Sequence, residues 1–139
     1  MEEVRDKAYE IADGFHTSYL LCGLEEEEDT LLALGLRYVR FAFEERNLFL
    51  FLFQSGHFGG EVLELLDDNA LNPILEGIMS EMNLGREDAK SVFLPLFVAS
   101  HGYASLIANN RLRYDEEEIK RILKKVFYGA LSEGGENGE

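Results

Sequence analysis

An all-α fold, an antiparallel bundle of about six helices, is what the sequence predicts, and three observations predict it. Only two prolines, Pro73 and Pro95, interrupt 139 residues, and glycine is mostly confined to boundaries, so long helices are permitted almost everywhere. Apolar residues recur three or four apart along most of the chain, the period of one helix face. No segment offers the β-branched alternation of a partner strand, and a lone strand leaves its own backbone unsatisfied. With 46% apolar and 12% aromatic residues, the chain can form one self-sufficient domain over residues 1–131.

The first helix is expected to carry Val4, Ala8, Ile11, Phe15, Tyr19 and Cys22 as its apolar stripe and to stop at Gly23. The run Glu25 to Asp29 reads as a solvated loop rather than an acidic binding patch, with Asp29 or Thr30 as the next N-cap. From Leu31 to Phe43 apolar residues point in nearly every direction, broken only by Arg37 and Arg40, which describes a central helix packed on several sides. Periodicity does not separate strand from helix in Leu48-Phe49-Leu50-Phe51-Leu52-Phe53; the missing partner strand decides for helix. Ser55 to Gly60 reads as a turn and Glu61 to Leu66 as a short helix.

Asn72-Pro73 opens the next helix with Pro at its first position, followed by Ile74, Leu75, Ile78, Met79 and Met82, and Leu84-Gly85 closes it. A long helix from Arg86 to Ala108 places Ala89, Val92, Phe93, Leu96, Phe97, Ser100, Tyr103, Ala104 and Ile107 on one side, with a kink expected at Pro95 and an end at Asn109-Asn110. Asp115-x-x-Glu118 has the form of an N-terminal cap, and Ile119, Ile122, Leu123, Val126, Phe127, Ala130 and Leu131 follow it at helical spacing. Ser132 to Glu139 is Gly- and Glu-rich and reads as a flexible acidic tail.

Charge and motif narrow the function. The 27 acidic against 13 basic residues leave −14, so the average surface repels phosphate and no direct nucleic-acid contact is expected from this segment. The single Cys22 forms no internal disulfide, the first residues lack a basic-then-apolar leader, and no spanning apolar stretch is expected, which points to a reducing cytoplasm and no membrane. No Gly-x-Ser-x-Gly, phosphate loop or dinucleotide fingerprint occurs. Ser100 and His101 are neighbours on one helix and face different directions, and Cys22 lies near a helix end, so no nucleophile with its base is apparent.

His16, His57 and His101 are too few and scattered for a metal motif, although His16 and His101 can approach one another across packed helices. No cofactor or metal is therefore expected, and the chain reads as non-enzymatic. His101 precedes Gly102 on an apolar face, where a buried imidazole usually bonds a neighbouring helix and the glycine permits close backbone contact. The strip Lys120, Arg121, Lys124 and Lys125 reads as a solvated face paired with Glu116, Glu117 and Glu118 one turn earlier. The excess of inward aromatics and methionines is mostly core, but an aromatic bundle can also leave an apolar cavity in which a few polar groups orient a ligand.

Two stretches carry a resemblance. Leu34-Gly35-Leu36-Arg37-Tyr38-Val39-Arg40-Phe41-Ala42-Phe43-Glu44, with Leu48 to Phe53 after it, is similar to the Tyr-Val-x-Phe-Ala helix and following short apolar helix of the C-terminal effector-binding and dimerisation domain of TetR-type transcriptional regulators. Phe97-Val98-Ala99-Ser100-His101-Gly102-Tyr103 resembles the Trp-x-x-x-His-Gly signature of one variety of that family, with Phe97 in the place of the Trp. Helix order matches as well, so the resemblance spans nearly the whole chain. Such regulators begin with a basic DNA-reading unit of about fifty residues. Nothing here resembles it, so the chain is expected to be an excised piece or a natural stand-alone sensor.

The resemblance implies a small, partly apolar effector, and the inward aromatic and polar side chains offer His16, Arg37, Tyr38, Phe53, Met79, Phe97, His101 and Tyr103 to hold it. It also implies a homodimer in which the last two helices pack against their copies, through Ile119, Ile122, Leu123, Val126, Phe127 and Ala130. The expected function is thus the sensing and dimerisation domain of a TetR-like repressor without its DNA-binding head. Two other readings stand beside it: a natural headless protein that pairs with an intact regulator and spoils its grip, and a small metal-dependent helical enzyme.

Overall fold

The computed structural model describes residues 2–22, 29–54 and 72–137. The expected stop at Gly23, the acidic run over 25–28, the turn over 55–60 with His57, and the short helix over 61–66 lie outside the described residues. Six α-helices, and no strand, occur among those described: α1 (Glu2–Leu21), α2 (Thr30–Glu44), α3 (Arg46–Gln54), α4 (Asn72–Met82), α5 (Arg86–Ala108) and α6 (Glu116–Asn137). The all-α bundle expected from the sequence is the fold.

The expected central helix is α2, which packs against α1, α3, α5 and α6 and buries Leu31, Leu32, Leu36, Val39, Phe41 and Ala42. Its Asp29 cap makes no side-chain bond to the helix; the carboxylate instead accepts from the Tyr128 hydroxyl at 2.7 Å. At the opposite end Arg40 pairs with Glu116. These two ties fix α2 and α6 antiparallel. Gly35 meeting Ser100 and Tyr38 meeting His101 show that α2 and α5 run the same way.

Two apolar clusters share the α2–α5 pair. One gathers Leu32, Leu36 and Val39 of α2, Leu75 and Ile78 of α4, Val92, Phe93 and Leu96 of α5, and Ile119, Leu123 and Phe127 of α6. The other joins Ala12 of α1, Tyr38, Phe41 and Ala42 of α2, Phe49 and Leu52 of α3, and Ala104 and Ala108 of α5. Phe97 packs against both.

Helix ends follow their local chemistry, with one reassignment. The Asp115 carboxylate accepts from the Glu118 amide at 3.2 Å, the predicted cap of α6. Asn83, not Gly85, closes α4: its φ is 54°, and the Leu84 amide reaches back to the Met79 carbonyl at 3.0 Å, a Schellman closure. Asn110, φ 58°, closes α5 the same way through Arg111 N–H to the Leu106 carbonyl at 2.7 Å. Gly85 instead serves α5 as its N-cap.

Four expectations need correction. The stripe assigned to α1 does not face inward: Val4 is 70% and Ile11 66% exposed, with Phe15 exposed too, while the buried side is Ala12 and His16 flanked by Tyr9, Tyr19 and Leu20. An alanine and an imidazole let α1 approach the aromatic rings of α2 and α3 more closely than Ile11 or Val4 would, so shape outweighs hydrophobicity in choosing the face. Helix α6 continues past Leu131 to Asn137, through residues expected as tail. Helix α5 is long and apolar enough to cross a membrane by length and composition, contrary to the expectation that no such stretch exists, since Ser91 to Ala108 contains no acidic or basic residue other than His101. Gly102 is exposed and a Cβ there meets nothing, so the close approach foreseen at His101-Gly102 is absent. It occurs at Gly35, where a Cβ would lie 2.9 Å from Ser100 Oγ.

Candidate functional site

Four helices converge on one aromatic and imidazole cluster. Helix α1 supplies His16, α2 Tyr38 and Phe41, α3 Phe49 and Phe53, and α5 Phe97 and His101. Helical spacing explains the supply from α2 and α3, because Tyr38 with Phe41 and Phe49 with Phe53 stand three and four apart and share a face.

Tyr38 sits at the centre. Its buried ring lies 5.5 Å from His16, 5.6 Å from Phe53, 5.7 Å from Phe97 and 6.0 Å from Phe49 and His101. The Tyr38 oxygen and His101 Nδ1 are 2.8 Å apart. Burial pushes the phenol well above its ordinary range and pulls the His101 imidazole below its own, so near pH 7 both are neutral. The two neutral groups share one hydrogen bond, whose direction follows the His101 tautomer. Phe97 stacks on the His101 ring with an interplanar angle of 3° and fixes its plane.

His16 is only 6% exposed. The rings of Phe41, Phe53 and Tyr38 approach it edge to face at 4.6, 5.2 and 5.5 Å, and burial lowers its pKa to about 4. Its Nε2 has no hydrogen-bond partner among the described residues. A buried imidazole nitrogen left bare costs about 1–3 kcal/mol, so this atom is the most conspicuous polar feature of the cluster.

Five of the eight sequence-predicted ligand residues therefore meet: His16, Tyr38, Phe53, Phe97 and His101. Arg37 does not join them. Its Nε donates to the Tyr19 carbonyl at 2.6 Å and its guanidinium lies 4.3 Å from the Tyr19 ring centre, so it ties the end of α1 to α2. Met79 and Tyr103 pack on the other cluster. Tyr103 follows His101 by two positions, about 200° around the helix, which turns it away. Ser100, on the inward side of α5 as its spacing predicts, faces Gly35 rather than the cluster, and its buried Oγ has no partner among the described residues.

The predicted interface set also divides. Ile119, Leu123 and Phe127 are buried within the chain's own core, among residues of α2, α4 and α5, and are not surface at all. Ile122, Val126 and Ala130 are half-buried. The sequence showed one apolar stripe on α6; the fold uses its centre within the chain and leaves only the margin outside.

Among the described residues no group of three or more His, Cys, Asp or Glu side chains is placed to hold a metal ion. His16 and His101 do come near one another, but each faces the shared rings of Tyr38 and Phe53. Comparison with family models, curated proteins and solved structures finds no match to the chain.

Proposed function

We propose that this chain is the ligand-sensing and dimerisation domain of a TetR-like repressor, non-enzymatic and working in the cytoplasm. The observation that carries the reading is the four-helix aromatic cluster with an unpartnered His16 nitrogen inside it, a polar atom that a bound molecule would complete. The two stretches similar to the family's motifs contribute Tyr38 and His101, the hydrogen-bonded pair at its centre.

The mechanism is indirect. Helix α1 touches chiefly α2 and α3 and exposes most of its surface, so it is the element whose packing a ligand can change at least cost. A molecule lodged beside His16 favours one placement of α1 over another. A differential affinity of about 1–3 kcal/mol between the two placements suffices for coupling to an attached DNA-reading unit.

The dimer surface is redrawn by the burial of Ile119, Leu123 and Phe127. It comprises the outward side of α5, where Pro95, Val98, Gly102 and Leu106 are exposed, together with the half-buried Ile122, Val126 and Ala130 of α6. Pairing of this surface with its copy about a two-fold axis would bury apolar area that a monomer leaves in water.

Sedimentation equilibrium combined with a thermal-shift screen of neutral, partly apolar compounds tests the reading. The expected result is a particle of twice the 15.8 kDa chain mass and a rise in Tm with a subset of compounds. A 15.8 kDa particle at micromolar concentration refutes the dimer; a Tm indifferent to every compound refutes the sensor.

A further inference from the structure

We infer that the group completing His16 is the hydroxyl of a small, neutral aromatic alcohol, a phenol in the simplest case, seated between α1 and the rings of α2 and α3. The inference rests on the sensing reading and deepens it by naming the ligand class. Three observations lead to it. His16 Nε2 is buried and unpartnered among the described residues, so the ligand must present a hydrogen-bonding atom. The neighbours of that imidazole are ring edges and faces, Phe41 at 4.6 Å, Phe53 at 5.2 Å and Tyr38 at 5.5 Å, so the remainder of the ligand must be apolar, and a flat ring suits edge-to-face packing.

The third observation concerns charge. Arg37, beside Tyr38 on α2, is engaged by the Tyr19 carbonyl and ring, and the cluster rings themselves carry no formal charge. A carboxylate would enter without a counter-ion and a neutral imidazole gives it none, which excludes anionic ligands. A hydroxyl suits either tautomer of His16, because it both donates and accepts.

Phenol, toluene and benzoate serve as probes, titrated into the full chain while long-range proton–nitrogen spectra follow the imidazole nitrogens. Phenol is expected to shift His16 Nε2 and to bind at least tenfold more tightly than toluene, with benzoate leaving the nitrogen unchanged. In His16→Phe the phenol-to-toluene ratio is expected to fall to about one. Should that variant fail to fold, the nitrogen shift in the native chain decides alone. Equal affinities for phenol and toluene, an unmoved Nε2 under saturating phenol, or benzoate binding as tightly as phenol each overturn the assignment. Toluene binding in the cluster with Nε2 unmoved removes only the hydroxyl and leaves an apolar sensor standing. No change in any cluster resonance with any probe overturns this inference, while the compound screen and the sedimentation result judge the sensing reading separately.

Discussion

Tyr38 and His101 stand 63 residues apart in sequence, yet the phenol hydroxyl meets the imidazole Nδ1 at 2.8 Å and joins α2 to α5 through the middle of the aromatic cluster. Replacing Tyr38 by Phe keeps the ring and removes the hydroxyl, leaving Nδ1 without its partner. We expect a loss of about 1–2 kcal/mol in urea denaturation. The same substitution removes the partner of His101 Nδ1, so the Nδ1 resonance should shift in long-range proton–nitrogen spectra. An unchanged Nδ1 resonance would show that the bond does not form in solution.

Gly35 is required by a near neighbour rather than by its own backbone. An added Cβ would stand 2.9 Å from Ser100 Oγ, with Leu123 Cδ1 at 3.6 Å and Leu96 Cγ at 3.7 Å behind it. Gly35→Ala should therefore destabilise by about 1–3 kcal/mol despite the better helix propensity of alanine. Ser100→Ala alone should be close to neutral or stabilising, because the buried hydroxyl has no partner among the described residues. The double variant should recover part of the Gly35→Ala loss, and a thermodynamic cycle on the four proteins measures the coupling.

Acid should loosen the α1 contact. The folded chain holds His16 at about 4 against an ordinary 6.5, so between those values the unfolded chain binds the proton that the folded one refuses. Stability is then full above pH 6.5 and falls as the pH drops toward 4, by about 3 kcal/mol for this group. His101, lowered by burial, adds to the fall. Glu116, held low chiefly by its hydrogen bond from Arg40, acts in the same sense at lower pH, whereas Asp13, raised by burial, opposes it. Comparing the native chain with His16→Phe between pH 7 and 4.5 isolates the histidine part, and parallel profiles would contradict it.

Substitutions on the last two helices should separate folding from association. Phe127→Ala empties a fully buried site and should cost about 3–5 kcal/mol, seen as a collapse of the thermal transition. Val98→Glu and Val126→Glu introduce charge at exposed and half-buried positions, and should leave the helical circular dichroism intact while halving the sedimenting mass. If Val98→Glu and Val126→Glu sediment like the native chain, the dimer surface lies elsewhere.

Much of the bundle was legible because periodicity and capping are local. Asp115 capping α6 and the many-sided burial of α2 follow directly from neighbouring residues in the chain. The α1 face was not legible. Val4, Ile11 and Phe15 make the stronger apolar stripe, but whether a stripe is buried depends on the shape of what it meets, and the α2–α3 surface admits Ala12 and His16. The division of α6 was hidden for the same reason, since Ile119 and Ile122 differ only in which neighbour stands opposite. Within the site, spacing grouped Tyr103 with Phe97 across a broad apolar arc, while the cluster uses the edge of that arc bearing Phe97 and His101.

The uneven wrapping of the helices also orders how the molecule comes apart. Amide protons along α2, enclosed by four neighbours, should exchange with heavy water only when the whole chain unfolds, whereas those of α1, held along one narrow face, should exchange through a partial opening that leaves α2, α5 and α6 assembled.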